Sequence, residues 1–108
     1  MKDQSLGELE ELVLLMVAAL HDEAYGVAII DEMEKRLNRR VSIGALQTVL
    51  RRLENKGLLS SVFGEATKIR GGKRKRYFTL TQSGSEILSQ TKNQRLALWK
   101  AIPKVSFK

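Results

Sequence analysis

On a helical wheel of about 100° per residue, Gly44, Ala45, Thr48, Arg51, Arg52 and Asn55 share one side, with Gln47 on its flank. Ile43, Leu46, Val49, Leu50 and Leu53 fall on the other side. A helix divided in this way keeps an aliphatic face for a core and turns the rest outward. The outward face is small at its N-terminal end and basic farther along. Those residue types suit the edges of DNA base pairs. Gln pairs with adenine, Arg with guanine, and Thr meets a thymine methyl or donates to phosphate. Small residues at the front let the backbone approach the groove. Ser42 is a good N-cap, and the N–H groups of the first turn offer a place for a phosphate. The same pattern also describes an ordinary surface helix carrying two arginines, and the helix alone leaves both readings open.

A second basic group follows. Lys73-Arg74-Lys75-Arg76 is preceded by Lys68 and Arg70. Successive strand residues point to opposite faces, so four in a row cannot share one sheet face. At the tip of a hairpin all four can reach a curved phosphate backbone, and each phosphate neutralised steepens the salt dependence by about 0.9. A hairpin kept soluble by its charge is the alternative.

Other chemistries find little support. The chain has no cysteine, which excludes disulfides, thiolate metal sites and a Cys nucleophile. His21 is the sole histidine. His21-Asp22-Glu23 are consecutive, so they do not share a helix face, and no second cluster completes a zinc site. Ser89-Gln90-Thr91-Lys92 fits Ser-x-x-Lys but lacks the companion motifs. The glycines and lysine between Gly64 and Lys73 do not form a phosphate-binding loop. Glu8, Glu10 and Glu11 complement a helix N-terminus. No acid–base pair stands out. The expectation is a chain that is not an enzyme and uses no cofactor or metal.

The elements that must position these residues can be read from periodicity. Ser5-Leu6-Gly7-Glu8 has the form of a capping box. Leu9, Leu12, Val13, Met16, Val17 and Leu20 then recur at three and four, which predicts a first helix over about 6–20. His21-Asp22-Glu23-Ala24 is a polar connection. A second periodic run begins at Tyr25-Gly26 and continues through Val27, Ile29, Ile30, Met33 and Leu37. Asn38 and the bases Lys35, Arg36, Arg39 and Arg40 close it. The third helix runs from about Ile43 to Lys56, with Gly57 as its left-handed C-terminal cap. The period then changes to two. Leu58 to about Ala66 reads as a strand and Lys73 to Thr81 as a second, with Phe78 and Leu80 on one side and Tyr77 and Thr79 on the other. Gly71-Gly72 marks the turn region. Thr81 caps a last helix whose Ile87, Leu88, Thr91, Leu98, Trp99 and Ile102 share a face, and Pro103 ends it. The fold class is mainly α with a small antiparallel hairpin.

With 108 residues, 43% apolar and 29% charged, the chain suits one globular domain. No apolar run reaches the ~18 residues of a membrane span, and the acidic N-terminus does not look like a secretory signal. The expected location is cytoplasmic. The net charge is +7. Residues 1–34 hold nine acids and one base, while 35–108 hold three acids and 18 bases. That asymmetry suggests a half that faces a polyanion.

In these residues the chain resembles the PadR-like winged-helix transcriptional regulators. The resemblance rests on Gly7-Glu8-Leu9-Glu10, Tyr25-Gly26-Val27-Ala28-Ile29, Ser42-Ile43-Gly44-Ala45-Leu46, Leu50-Arg51-Arg52-Leu53-Glu54, Gly57-Leu58-Leu59, the run Gly72 to Thr81, and Gly84. It covers about residues 6–90 and points to the short branch with a single closing helix. Gln47-Thr48 stands where the family usually has Tyr-Pro. The wing reads Gly-Lys-Arg and then Tyr77-Phe78, where Gly-Arg-Pro and Arg/Lys-Tyr-Tyr are usual. The resemblance implies a winged helix-turn-helix over residues 1–81 and a C-terminal dimerisation helix and tail over 82–108, in a regulator that binds double-stranded DNA as a homodimer. With no evident activation or catalytic segment, a repressor is expected. The DNA-contact candidates are Tyr25, Ser42, Gly44, Gln47, Thr48, Arg51, Arg52, Lys73, Arg74, Lys75 and Arg76. A dimer built through the last helix makes Leu88, Leu98, Trp99 and Ile102 the interface candidates. Their apolar end, rimmed by Lys92, Arg95, Lys100 and Lys104, looks like an interface. Packing against the first helix of the same chain is the alternative. Some family members sense small aromatic or cationic effectors at the dimer interface, where Trp99 offers a stacking face. A protein–protein module working through the acidic first third, or a ligand-sensing regulator with little direct sequence readout, is the competing function.

Overall fold

The acidic first turn and the apolar periodicity that follows produce α1 over Glu8–Leu20. It starts two residues later than the sequence predicts, because its N-cap is Gly7. The Glu10 carboxylate reaches back to accept the Gly7 N–H at 2.9 Å, which is the carboxylate half of a capping box. The structure, a computed structural model, describes residues 6–64 and 74–104. The expected Ser5 cap lies outside them. His21 closes α1 with φ +53°, and a single 3₁₀ turn spans His21–Glu23.

Helix α2 covers Gly26–Leu37 and stops at Asn38, which adopts the left-handed conformation and donates its N–H to the Glu34 carbonyl. Asn tolerates that conformation better than most residues. Helix α3 covers Ile43–Asn55, and the Ser42 hydroxyl oxygen accepts the Ala45 N–H at 3.1 Å. Gly57 follows at φ +78°, the expected glycine termination.

Strands β1 (Leu59–Phe63) and β2 (Arg76–Leu80) pair antiparallel, in a register running from Leu59 opposite Leu80 to Phe63 opposite Arg76. Both are shorter than the alternating runs suggest. Leu58 is the corner where helix, hairpin and last helix meet. Its N–H donates to the Leu53 carbonyl and its own carbonyl accepts the Thr81 N–H at 3.1 Å. The Gly71-Gly72 turn lies outside the described residues. The sequence reading missed a third rung: the Phe78 N–H donates to the Ala24 carbonyl at 2.8 Å, and Tyr25 forms an isolated bridge with Tyr77. Two strand-like residues are too few to show a period.

Helix α4 covers Gln82–Ala101. Thr81 Oγ1 accepts the Gly84 N–H at 3.0 Å and donates to the Gly57 carbonyl at 2.6 Å. A Cβ on Gly84 would collide with the Leu58 carbonyl, so only glycine lets the start of α4 come this close.

The core gathers Val13, Leu14, Met16 and Val17 of α1, Ile29 and Met33 of α2, Leu46, Val49, Leu50 and Leu53 of α3, and Leu58, Leu59 and Phe78 of the hairpin. Leu14 falls outside the predicted stripe yet is fully buried. Helix α1 touches α2, α3, β2 and α4, so its buried arc is wider than one stripe. Ile43 departs in the other direction. It belongs to the aliphatic face by angle but is 48% exposed, since it sits in the first turn, beyond the edge of the core. Ile87 and Leu88 of α4 pack against the core, whereas Leu96, Leu98 and Trp99 are exposed. The first half of α4 is therefore packed within its own chain, whereas the apolar side chains near its far end are exposed. Among the described residues no helix is long and apolar enough to cross a membrane.

Candidate nucleic-acid interface

The amphipathic division of α3 sets up the first part of the site. With Leu46, Val49, Leu50 and Leu53 buried, Gly44, Gln47, Thr48, Arg51 and Arg52 are exposed. The side chains of Gln47, Arg51 and Arg52 make no hydrogen bond or ion pair with another described residue. Their donors are therefore available. The Thr48 hydroxyl donates to the Gly44 carbonyl at 3.0 Å. Its proton is committed to the helix, which leaves its methyl and its lone pairs. Ser42 accepts from Ala45 and keeps its own proton to donate.

The wing supplies the second part, and here the cations are engaged. Arg74 Nε donates to the Gly64 carbonyl at 3.0 Å, with its guanidinium 5.7 Å from the Phe63 ring centre. The Lys75 ammonium lies 4.2 Å from the ring centre of Tyr25, within cation–π range. Tyr25 in turn meets Tyr77 edge to face at 5.5 Å. Arg76 donates to the Ser61 hydroxyl at 2.9 Å and to Glu54 at 3.0 Å. Lys73, like Lys68 and Arg70, lies outside the described residues. Between the two parts runs a groove of about 470 Å³, whose lining includes Tyr25, Gln47, Arg51, Glu54, Arg74, Lys75 and Arg76. The structure thus brings Tyr25, Gln47, Arg51 and the described wing cations to one groove.

Glu54, Ser61 and Phe63 were missed by the sequence reading. Glu54 ends a run that signals only a helix, and its partners come seven and 22 residues later. No local spacing reports such a contact.

Two ion pairs fix the frame behind the site. Lys56, just past α3, donates to both Glu10 carboxylate oxygens at 3.1 and 3.0 Å. Burial pushes the Glu10 pKa up, but the Gly7 N–H, the Lys56 ammonium and the Arg52 charge outweigh it and hold the carboxyl below its ordinary value. Glu11 takes two hydrogen bonds from Arg95 of α4, at 3.1 and 2.7 Å, which likewise hold it low.

The model of the transcriptional regulator PadR-like family matches residues 14–90. The chain belongs to the PadR-like family. Similar solved structures agree. A PadR-like transcription factor from Bacteroides fragilis is 32% identical over 85% of this chain and 84% of its own, with a TM-score of 0.71. A PadR family transcriptional regulator from Eggerthella lenta is 27% identical over 94% of this chain and 88% of its own, at 0.69. A PadR-like regulator from Bacillus cereus shares the fold at 0.73, with 21% identity over 93% of this chain and 92% of its own. A search of curated proteins found no match. The PadR-like family consists of transcription regulators, not enzymes, and this chain is a DNA-binding transcription regulator with a winged-helix fold. The β1–β2 hairpin is its wing.

Proposed function

We propose that this PadR-like regulator is a homodimeric repressor. It binds a pseudo-palindromic operator through α3 and the wing, and silences a promoter by occupying it in the cytoplasm. The observation that carries this reading is the outward face of α3, where the side chains of Gln47 and Arg51 have no hydrogen-bond or ion-pair partner among the described residues and line a groove beside a basic wing. The contact set is Tyr25, Ser42, Gly44, Gln47, Thr48, Arg51 and Arg52, with the basic run 73–76 of the wing. A helix of this kind enters the major groove while the preceding helix crosses the backbone.

The dimer we propose forms through the exposed apolar end of α4. Leu98 is 69% exposed, Trp99 66% and Ile102 38%. Leu88 packs against the core of its own chain, so the interface centres on Leu98, Trp99 and Ile102. Twofold symmetry then places half-sites about one helical turn apart. A small aromatic or cationic effector stacking on Trp99 would act by favouring one of two dimer states that hold the reading heads at different angles. Trp99→Ala should weaken dimerisation in sedimentation at low micromolar concentration, and a fully dimeric variant there contradicts the interface.

The direct test is selection from random duplex DNA at about physiological salt. A palindromic consensus supports the reading. Retention without consensus overturns operator recognition, and no retention favours the protein-interaction alternative.

A further inference from the structure

Glu54 places a carboxylate in a groove meant for phosphate, in a stretch that holds only three acids from residue 35 onward. Simple electrostatics makes it a liability for DNA binding. Its oxygens, however, are both engaged. Oε2 accepts the Ser61 hydroxyl at 2.6 Å and Oε1 accepts Arg76 Nη2 at 3.0 Å. Arg76 Nε donates to Ser61 Oγ at 2.9 Å. Because Ser61 spends its one proton on Glu54, it can only accept from Arg76, which fixes the direction of every bond in the ring. The ring joins the last turn of α3 to both wing strands. The Arg76 guanidinium also lies 5.4 Å from the Phe63 ring centre and 5.7 Å from that of Phe78. The residue just before β2, Lys75, ties the wing to Tyr25.

A two-stranded hairpin is marginal by itself in water, so its orientation depends on what holds it: the backbone bond from the Phe78 N–H to the Ala24 carbonyl and, nearer the tip, side chains. We infer that Glu54, with Ser61 and Arg76, is a positioning group that sets the wing at a fixed angle to α3 and thereby supports discrimination between operator and other DNA. Arg76 serves this clasp, and its charge still adds to the field that attracts DNA. The inference rests on the reading that α3 and the wing engage one duplex.

The test compares the wild-type full chain with Glu54→Gln, Arg76→Gln and the double variant, each binding the selected operator and a scrambled duplex at one salt concentration. Glu54→Gln should lose about five- to tenfold on the operator, the scale of coupling in such networks. Its binding to scrambled DNA should stay level or rise, because a repulsive charge has gone. A merely unfolded variant would lose both. The double variant should be no weaker on the operator than the worse single variant. Ser61→Ala, which alters no charge, should lose a few-fold on the operator only. Without DNA, hydrogen exchange at β1 and β2 amides should be faster in Glu54→Gln than in wild type. A Glu54→Gln chain that gains operator affinity, with additive single effects, overturns the clasp while leaving the functional reading intact. A wild-type chain that selects no sequence overturns both.

Discussion

Helix α3 and the wing present the same kind of charge to one groove under opposite conditions. On α3, the side chains of Gln47 and Arg51 have no hydrogen-bond or ion-pair partner among the described residues. On the wing, Arg74, Lys75 and Arg76 each lie against a carbonyl, a ring or a carboxylate of the chain. A count of positive charges treats the two alike. Their surroundings separate them. Groups with unspent donors can form bonds with base edges, and groups already bound can fix an angle. The wing cations also stay charged while bound, so they still add to the field that attracts DNA. On this view the helix reads and the wing holds.

The comparison is sharpened most by removing a reading group. Gln47→Ala should lose about 1–3 kcal/mol of discrimination at one base position while binding to random duplex holds, as measured by competition with single-base operator variants. Equal loss on every sequence would remove α3 from the reading role.

A smaller effect is expected at the wing. Lys73→Ala combined with Arg74→Ala should flatten the salt dependence by one to two units, roughly 0.9 per lost contact, with the base preference unchanged. An unaltered slope breaks the comparison from the other side, since the wing would then not touch phosphate.

The smallest effect concerns how α3 is mounted. The folded-state pKa of Glu10 is lowered, so its bonds from the Gly7 N–H and from Lys56 add stability that is complete above the unfolded carboxyl value. That stability is lost as pH falls through the lowered folded value. Urea unfolding across the acid range should show this decline in wild type, and Glu10→Gln should flatten it. A decline of equal size in the variant would exclude Glu10 as its source.

Much of this arrangement is legible in the sequence because it is local. The three-and-four spacing of α1 to α3, the left-handed Asn38 and Gly57, the Ser42 and Thr81 caps and the period-two hairpin all follow from neighbours within a few residues. The outward face of α3 follows from the wheel. What escapes is long-range. Leu14 is buried because α1 is covered on several sides. Ala24 and Tyr25 join the sheet through partners more than fifty residues away. The basic run predicts charge at the wing but not that Arg76 faces Glu54. The split of α4 between Leu88, packed inside the chain, and Leu98, exposed, depends on where the core ends. Periodicity along the helix carries no such boundary.

The central claim is that α3 reads sequence. The most direct measurement repeats selection from random duplex DNA with wild type and Arg51→Ala side by side. The account predicts a palindromic consensus for wild type, and for Arg51→Ala the same palindrome with one position in each half-site degenerate. An identical consensus from both proteins would contradict it.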